Sequence, residues 1–253
     1  MIRSSALRTS HRNELSVHEF EGCDVPRLDL FVTDRFGGVS RGPFDSLNLA
    51  SHVGDDVHCV SENRARIARV VGAQASELII ANQVHGSDIV DCDHGEHDAT
   101  GDILILAHNT KVAAILVADC VPLAIISPSQ HRLALVHAGW RGLASGVVTR
   151  AVTHLGASDL QAVIGPCVSM EGYQVGPDVA HHFGDVDHAL VADSGDRSRL
   201  DLALVAHDQL TRAGVSSNNI VVSSNKTDGG ETFFSDRAER PCGRFAIVAK
   251  WRS

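Results

Sequence analysis

Two histidines and a cysteine, His85, Cys120 and His137, each stand where an apolar run of this 253-residue chain meets a glycine or a proline, in "NQVHG", "VADCVPL" and "LVHAGWRG". A side chain at the end of a strand projects into the cleft that loops enclose, which places all three for chemistry. Two imidazoles and one thiolate suit a tetrahedral zinc ion with one open position, and copper accepts the same donors. Zinc with an open position lowers the pKa of a bound water toward neutrality or acts as a Lewis acid. The separations, 35 residues and then 17, are too long for one helix or knuckle to gather these ligands. Only a folded sheet can do so; taken singly, the histidines also read as core imidazoles and Cys120 as a buried apolar thiol.

The surroundings of His137 add to the picture. Gly139 and Gly142 permit close backbone approach, and a helix starting after them aims its free N–H groups at the same corner. Arg141 adds a fixed cation, so an anion such as phosphate is expected there; the plainer alternative is an arginine capping a carboxylate. Asp119, beside Cys120, orients a ligand or substrate or satisfies backbone N–H groups at the strand end. Asn48 in "SLNL" and Arg64 in "ENR" default to capping or surface solvation. Cys167 is the residue that would close the site if the metal were purely structural and the protein a partner-binding module.

Other motifs compete. "DCDHGEHD", Asp91 to Asp98, gathers Cys92, His94, His97 and acids, but lacks apolar walls to fix ligands and reads as a solvated loop. "GGVSRG" has neither Walker nor dinucleotide spacing. "IGPCVSM" places Met170 where a cytidine-type deaminase needs its second cysteine, with no H-x-E before it. There is no G-x-S-x-G elbow and no H-E-x-x-H helix.

The elements that must position the trio follow from hydropathy patterning. "LDLFVTDR", "ELIIANQVHG" and "DILILA" read as strands, and "SENRARIARVVGA" as a helix with Ser61 as N-cap and Gly72 near its stop. "KVAAILVADCVPLAIIS" has the unbroken apolar character of a strand buried on both faces, and "HRLALVHAG" pairs with it through the turn at "SPSQ". Leu143, Val147, Ala151 and Leu155 recur every four residues, predicting one helix from Trp140 to a stop at Gly156. "LQAVIG", "NNIVVS" and "RFAIVAKW" are further strands, and "RLDLALVAHDQLTRAG" a second helix ending at Gly214. The expectation is an α/β (α+β) protein: a tail over residues 1–26, then a single domain over 27–253 with a central mixed sheet flanked by helices.

Bulk composition narrows the function. A net charge of -9 argues against a nucleic-acid footprint or a polybasic membrane contact, and 43% hydrophobic residues suffice for a sizeable core. The longest apolar stretch is interrupted by Asp119 and Pro122 and is too short to span a bilayer. With no secretory signal in "MIRSSALRTSHRNELS" and six cysteines scattered without CxxC pairs, a cytoplasmic protein, monomer or homodimer, is expected.

The set "TDRFGGVSRGPFDSLNLASHVGDD", "ENR", "NQVHG", "ADCVPL", "HAGWRG", "IGPCVSMEGYQVG" and "FFSDRAERPCGRFAIV" resembles the laccase-domain family over approximately Leu28 to Trp251. Its members are variously assigned as multicopper polyphenol oxidase, YfiH-like purine nucleoside phosphorylase and peptidoglycan editing factor. The resemblance implies a YfiH-like fold with zinc on His85, Cys120 and His137. It implies phosphorolysis of adenosine, inosine and methylthioadenosine, with adenosine deamination, acting on a purine nucleoside and phosphate. Asp119, Arg141, Arg64 and Asn48 are then the candidates around the reacting atoms, Asp119 for the base and Arg64 or Arg141 for phosphate. Two enzyme alternatives stand beside this: an amidase editing cytoplasmic peptidoglycan precursors, and a copper polyphenol oxidase, which requires more copper ligands than one trio. The chain departs from the family pattern at Asp236, more often tyrosine, at Cys242, more often threonine, and at Ser224 and Asn225, where a "CT" pair is expected; substrate preference hangs on whether these residues line the pocket.

Overall fold

The unbroken apolar runs are explained by two stacked sheets that are covered on their outer faces as well. The structure, a computed structural model, describes residues 3–94, 99–108 and 110–252. The chain opens with β1 (Arg3–Ser5), β2 (Leu7–Arg12), β3 (Leu15–Phe20) and β4 (Leu28–Thr33), followed by helix α1 (Val57–Val70). Next come β5 (Leu78–Ile79), β6 (Ile89–Asp91), β7 (Ile103–Leu106), β8 (Val112–Val117), β9 (Val121–Ser127) and β10 (Arg132–Ala138). Helices α2 (Trp140–Ala144) and α3 (Val147–Leu155) lead to β11 (Gln161–Ile164), β12 (Gln174–Val175) and α4 (Pro177–Ala180). The chain ends through β13 (Leu190–Ala192), β14 (Ser198–Leu200), α5 (Leu202–Arg212), β15 (Ile220–Ser223) and β16 (Phe245–Trp251).

One sheet has seven strands in the order β1-β15-β11-β9-β10-β7-β6, a second has six, β2-β3-β4-β16-β8-β5, and β12-β14-β13 form a small third. Both large sheets mix parallel and antiparallel pairs. Alternation of side chains then sorts the core into three layers. Leu104, Ile126, Leu135, Ile115 and Phe245 meet between the sheets. Their neighbours Ile105, Ile125 and Val136 turn outward to Val148, Ala151, Val205 and Leu210 of α3 and α5. On the opposite outer face, Ala114, Leu116 and Val248 pack on Ile67 and Ala68 of α1. The mixed, helix-flanked α/β class is as the sequence predicts, but the sheet is doubled.

Five local expectations are corrected. The segment 1–26 is not a loose tail: β1 pairs with β15, and β2 and β3 extend the other sheet through β4. β1 and β2 are polar, mostly exposed edge strands, which lack the apolar signature by which strands are recognised, whereas β3 lies one strand further in and is mostly buried. The run 111–127 is not one strand but two, β8 in one sheet and β9 in the other, joined by a bend at residues 118–120. The helix expected from Trp140 to Gly156 is two, because Gly146 takes a left-handed φ of +78° between them. α1 begins four residues before Ser61, with Asp56 as its N-cap accepting from the backbone N–H groups of His58 and Cys59. In "ELIIANQVHG" only Leu78 and Ile79 form a strand; Glu77 ends a short 3-10 turn, Asn82 makes a single bridge to Thr100, and the remainder is loop. Among the described residues no helix is long and apolar enough to cross a membrane.

Candidate metal site and its cavity

His85 lies on the loop after β5, Cys120 at the bend where the chain leaves one sheet for the other, and His137 one residue before the end of β10. The pairing of Val121 with Ala138 and of Pro122 with His137 carries the bend to the end of β10. One nitrogen of each histidine and the Cys120 sulfur all lie within 4.8 Å of one another. Cys120 Sγ stands 4.0 Å from His85 Nε2, and the two imidazoles meet edge to face at 4.6 Å and 70°. With zinc–nitrogen bonds of about 2.0–2.1 Å and zinc–sulfur of about 2.3 Å, a tetrahedral shell has ligand edges of roughly 3.4–3.6 Å, so a small inward movement closes this trio on a cation. His137 is buried, Cys120 half-buried and His85 exposed, which leaves one side of the site open.

Gly139 is required by this crowding. A Cβ there would fall 2.9 Å from Cys120 Sγ and 3.0 Å from His85 Cδ2. Gly139→Ala is therefore expected to splay the two ligands and weaken metal binding by about ten- to a hundredfold, as loss of ligand support does elsewhere. Competition against a chromophoric chelator measures it, and unchanged affinity would show that the crowding is relieved without cost.

The residue that organises the trio is one the sequence analysis passed over. Asp102, fully buried at the head of β7, accepts the backbone N–H groups of Val84 (3.2 Å), His85 (3.0 Å) and Gly86 (2.7 Å). The same carboxylate accepts from His137 Nδ1 at 2.8 Å. An ionised carboxylate only accepts, so Nδ1 bears a proton and Nε2 is the nitrogen that faces Cys120 and His85, offering a lone pair to a cation once its own proton is displaced. The backbone bonds also hold His85 at a φ of +60°, an uncommon conformation for a residue with a Cβ. Burial alone would raise the Asp102 pKa, but the hydrogen bonds from His137 and from backbone N–H groups outweigh it and hold the carboxyl below its ordinary range. Burial likewise opposes charge on Cys120 and His137, yet their mutual attraction lowers the thiol and raises the imidazole, making a thiolate–imidazolium pair. An acid at the start of an all-apolar strand, "GDILIL", is the signal that marks Asp102.

Asp119 has a different place from the one expected of a base. It adopts a φ of +84°, and its carboxylate accepts from Thr227 Oγ1 (2.6 Å), Ser235 Oγ (2.7 Å) and the Arg237 backbone N–H (2.7 Å). Both oxygens are engaged, so Asp119 pins the bend before Cys120 to the 227–237 segment. Gln83 makes a matching clamp from the other side, its amide donating to Leu116 O at 2.7 Å and accepting from Leu116 N–H at 2.8 Å.

The open side of the trio faces a cavity of about 700 Å³, lined also by Arg64, Arg244, His52, Gln83 and Asp236. That size lies within the span of small-molecule sites. Arg64 Nε donates to Leu49 O at 2.9 Å. His52 is held below the usual imidazole pKa by burial and then by Arg244 and Arg64, so it adds no third charge at neutral pH. Arg141 does not line the cavity: it is exposed, with its guanidinium 4.3 Å over the Trp140 ring, and α2 has only five residues. Asn48 is fully buried, donating to Ala50 O and Asp55 and accepting from the N–H groups of Ala50 and Arg244. It holds the cavity wall together from behind.

Cys167 is buried elsewhere, its thiol pushed up to about 12 by desolvation, and it is not among the ligand groups that converge. In the competing acidic loop, Cys92 is turned into the core and His94 pairs with Asp91 on the surface; residues 95–98, with His97, lie outside the described residues. Of the departures from the family pattern, Asp236 lines the cavity, and Cys242 Sγ accepts from Arg244 Nη1 at 3.2 Å. Ser224 and Asn225 hydrogen-bond instead to Ser5 and Leu7 of the N-terminal strands.

Comparison with known proteins agrees with this architecture. A Mycobacterium tuberculosis protein named purine nucleoside phosphorylase Rv2149c is 37% identical over 233 residues, covering 88% of this chain and 91% of its own. Escherichia coli YfiH, also named a purine nucleoside phosphorylase, is 34% identical over 219 residues, 84% of this chain and 89% of its own. The crystal structure of YlmD from Geobacillus stearothermophilus superposes with a TM-score of 0.90 at 29% identity, over 97% of this chain and 99% of that one. Residues 29–252, nearly the whole chain, match one family, and the protein therefore belongs to it: the multi-copper polyphenol oxidoreductase laccase family.

Proposed function

We propose that this protein is a zinc-dependent purine nucleoside phosphorylase that also deaminates adenosine. The observation that carries the reading is the convergence of His85, Cys120 and His137 with one side open to a cavity that two arginines line. The donor set fits zinc: two imidazoles and a thiolate, one imidazole fixed in the ligating tautomer by Asp102, and no side chain at Gly139 to fill the space. When bound, zinc supplies a Lewis acid at its open position.

The chain's own residues do the rest. In this reading Arg64 and Arg244, which line the cavity, supply the positive charge that attracts a phosphate. In phosphorolysis a phosphate oxygen bonds to the anomeric carbon while the bond from that carbon to the purine nitrogen breaks. The purine leaves with the electron pair and takes up a proton. Holding both reactants in one cavity converts a two-body encounter into a reaction within a complex. The names of the relatives at 37% and 34% identity support this choice over the family's copper label. A multicopper electron relay needs further ligand clusters, and among the described residues one is formed.

The test is incubation of purified protein with inosine or adenosine and phosphate. Equal amounts of free base and ribose 1-phosphate are expected, with about one zinc per chain by elemental analysis. No turnover of any purine nucleoside overturns the activity, and stoichiometric copper overturns the metal assignment.

A further inference from the structure

Asp236 is a carboxylate in a cavity where an anion is to be bound. Arg244 Nη2 donates to Asp236 Oδ1 at 3.0 Å, and Arg240 Nη2 stands 2.5 Å from Oδ2. Arg240 Nε also donates to the Asp236 backbone oxygen at 3.0 Å, which gives the pair a second contact. The other terminal nitrogen of Arg244 is spent on Cys242 O at 3.1 Å and Gly243 O at 3.0 Å. The terminal nitrogens of the Arg244 guanidinium are therefore already committed, one of them to a charge of the same sign as phosphate. Arg64, whose Nε donates to Leu49 O, shares the cavity with Asp236.

We infer that Asp236 is a specificity-determining residue that weakens capture of phosphate, by competing for Arg244 and by repelling the incoming dianion, while leaving an uncharged second reactant unaffected. The inference rests on the phosphate-using reading above. Its chemical consequence is a choice between two nucleophiles for the anomeric carbon. If a phosphate oxygen bonds to that carbon as the purine leaves with its electron pair, the products are ribose 1-phosphate and base. If a water oxygen bonds to it instead, the water proton passes to the departing purine and the products are free ribose and base. A like charge beside the anion site biases the balance toward water, because Coulomb repulsion acts only on the charged competitor.

Asp236→Asn tests this, since the amide keeps the shape and one acceptor for Arg244 while removing the charge. At saturating nucleoside, the KM for phosphate is expected to fall at least fivefold, and the ratio of ribose 1-phosphate to free ribose to rise by a similar factor. A merely structural role, in which Asp236 anchors Arg244, gives the opposite sign: phosphate KM rises. An unchanged or raised phosphate KM overturns the inference. Titration with inorganic phosphate alone needs no turnover and separates this outcome from failure of the activity. Tighter binding to Asp236→Asn in a protein that cleaves no nucleoside upholds the charge effect and sinks the phosphorylase reading. Equal or weaker binding in an active enzyme does the reverse.

Discussion

Cys120→Ala is expected to purify without metal and to lose nucleoside cleavage by a factor on the order of 10³, since Lewis-acid stabilisation is worth several kcal/mol and ~4 kcal/mol is about a thousandfold in rate. The substitution leaves two imidazoles, His85 exposed and His137 buried, which do not retain a tetrahedral cation against buffer and chelator. The fold is expected to survive, because Cys120 is half-buried at a bend whose shape is set by Asp119 and its three donors. Cys167→Ala is the control. It removes a buried thiol from the core but not from the trio, so metal content is expected to stay at the wild-type value. Elemental analysis and kcat/KM on the two proteins make the comparison; equal loss of metal in both would mean a closed, four-ligand site.

The second large effect belongs to Asp102. Asn in its place brings an NH₂ group toward four donors that the carboxylate had satisfied, three backbone N–H groups and His137 Nδ1. One of two outcomes follows. Either a buried donor goes unpaired, or the imidazole changes tautomer to accept from the amide and turns its N–H toward the metal position. Breaking a buried charged contact of this kind costs about 3–5 kcal/mol, and the lost support lowers metal affinity by about ten- to a hundredfold. At roughly 2–4 °C per kcal/mol for a chain of this size, the melting temperature drops by about 6–20 °C. Thermal melts of metal-free wild type and Asp102→Asn, with chelator competition on the metal-loaded forms, measure the two parts. A variant that melts with the wild type and binds metal as tightly shows that the carboxylate is dispensable. The wild type has a related acid limit. The folded pKa of Asp102 is depressed, so its contribution is complete above the unfolded carboxylate range, near pH 4, and is lost as pH falls through the lower folded value.

The contrast between Cys120 and Asp102 shows what a sequence makes legible. Soft ligands at the ends of apolar runs stand out because nothing in packing calls for them there, and the trio is readable on that ground. Asp102 is conspicuous only as an acid heading an apolar strand, and its role is hidden because its partners are backbone groups of a loop 16–18 residues earlier and a ring 35 residues later. Hydrogen bonds of that kind have no composition. Asp119 was noticed for its position but not for its saturation, which depends on Thr227, Ser235 and Arg237 more than a hundred residues away. Arg141 illustrates the converse error: the cation beside His137 in sequence points at Trp140, while Arg244, unremarked within "CGR", lines the cavity.

The fold was legible to the same depth. Period and apolarity found the central strands and α5, since burial on two faces leaves an unmistakable run. They did not reveal that residues 111–127 change sheet at Asp119, because a strand that bends and one that continues have the same hydropathy. The every-four spacing of Leu143, Val147, Ala151 and Leu155 bridged the break at Gly146 for a similar reason: two helices facing one sheet keep their apolar residues on the same side.

The crossing at residues 118–120 has a mechanical consequence. Of the trio, one member follows a strand of the six-stranded sheet, one sits on the passage between sheets, and one belongs to the seven-stranded sheet. An ion gripped by all three is a rivet through both layers, assembled only when the layers are in register. The unfolded chain has no such grip, so every increment of ionic affinity is transferred to the cohesion of the whole body, and starvation for metal loosens the protein at its seam.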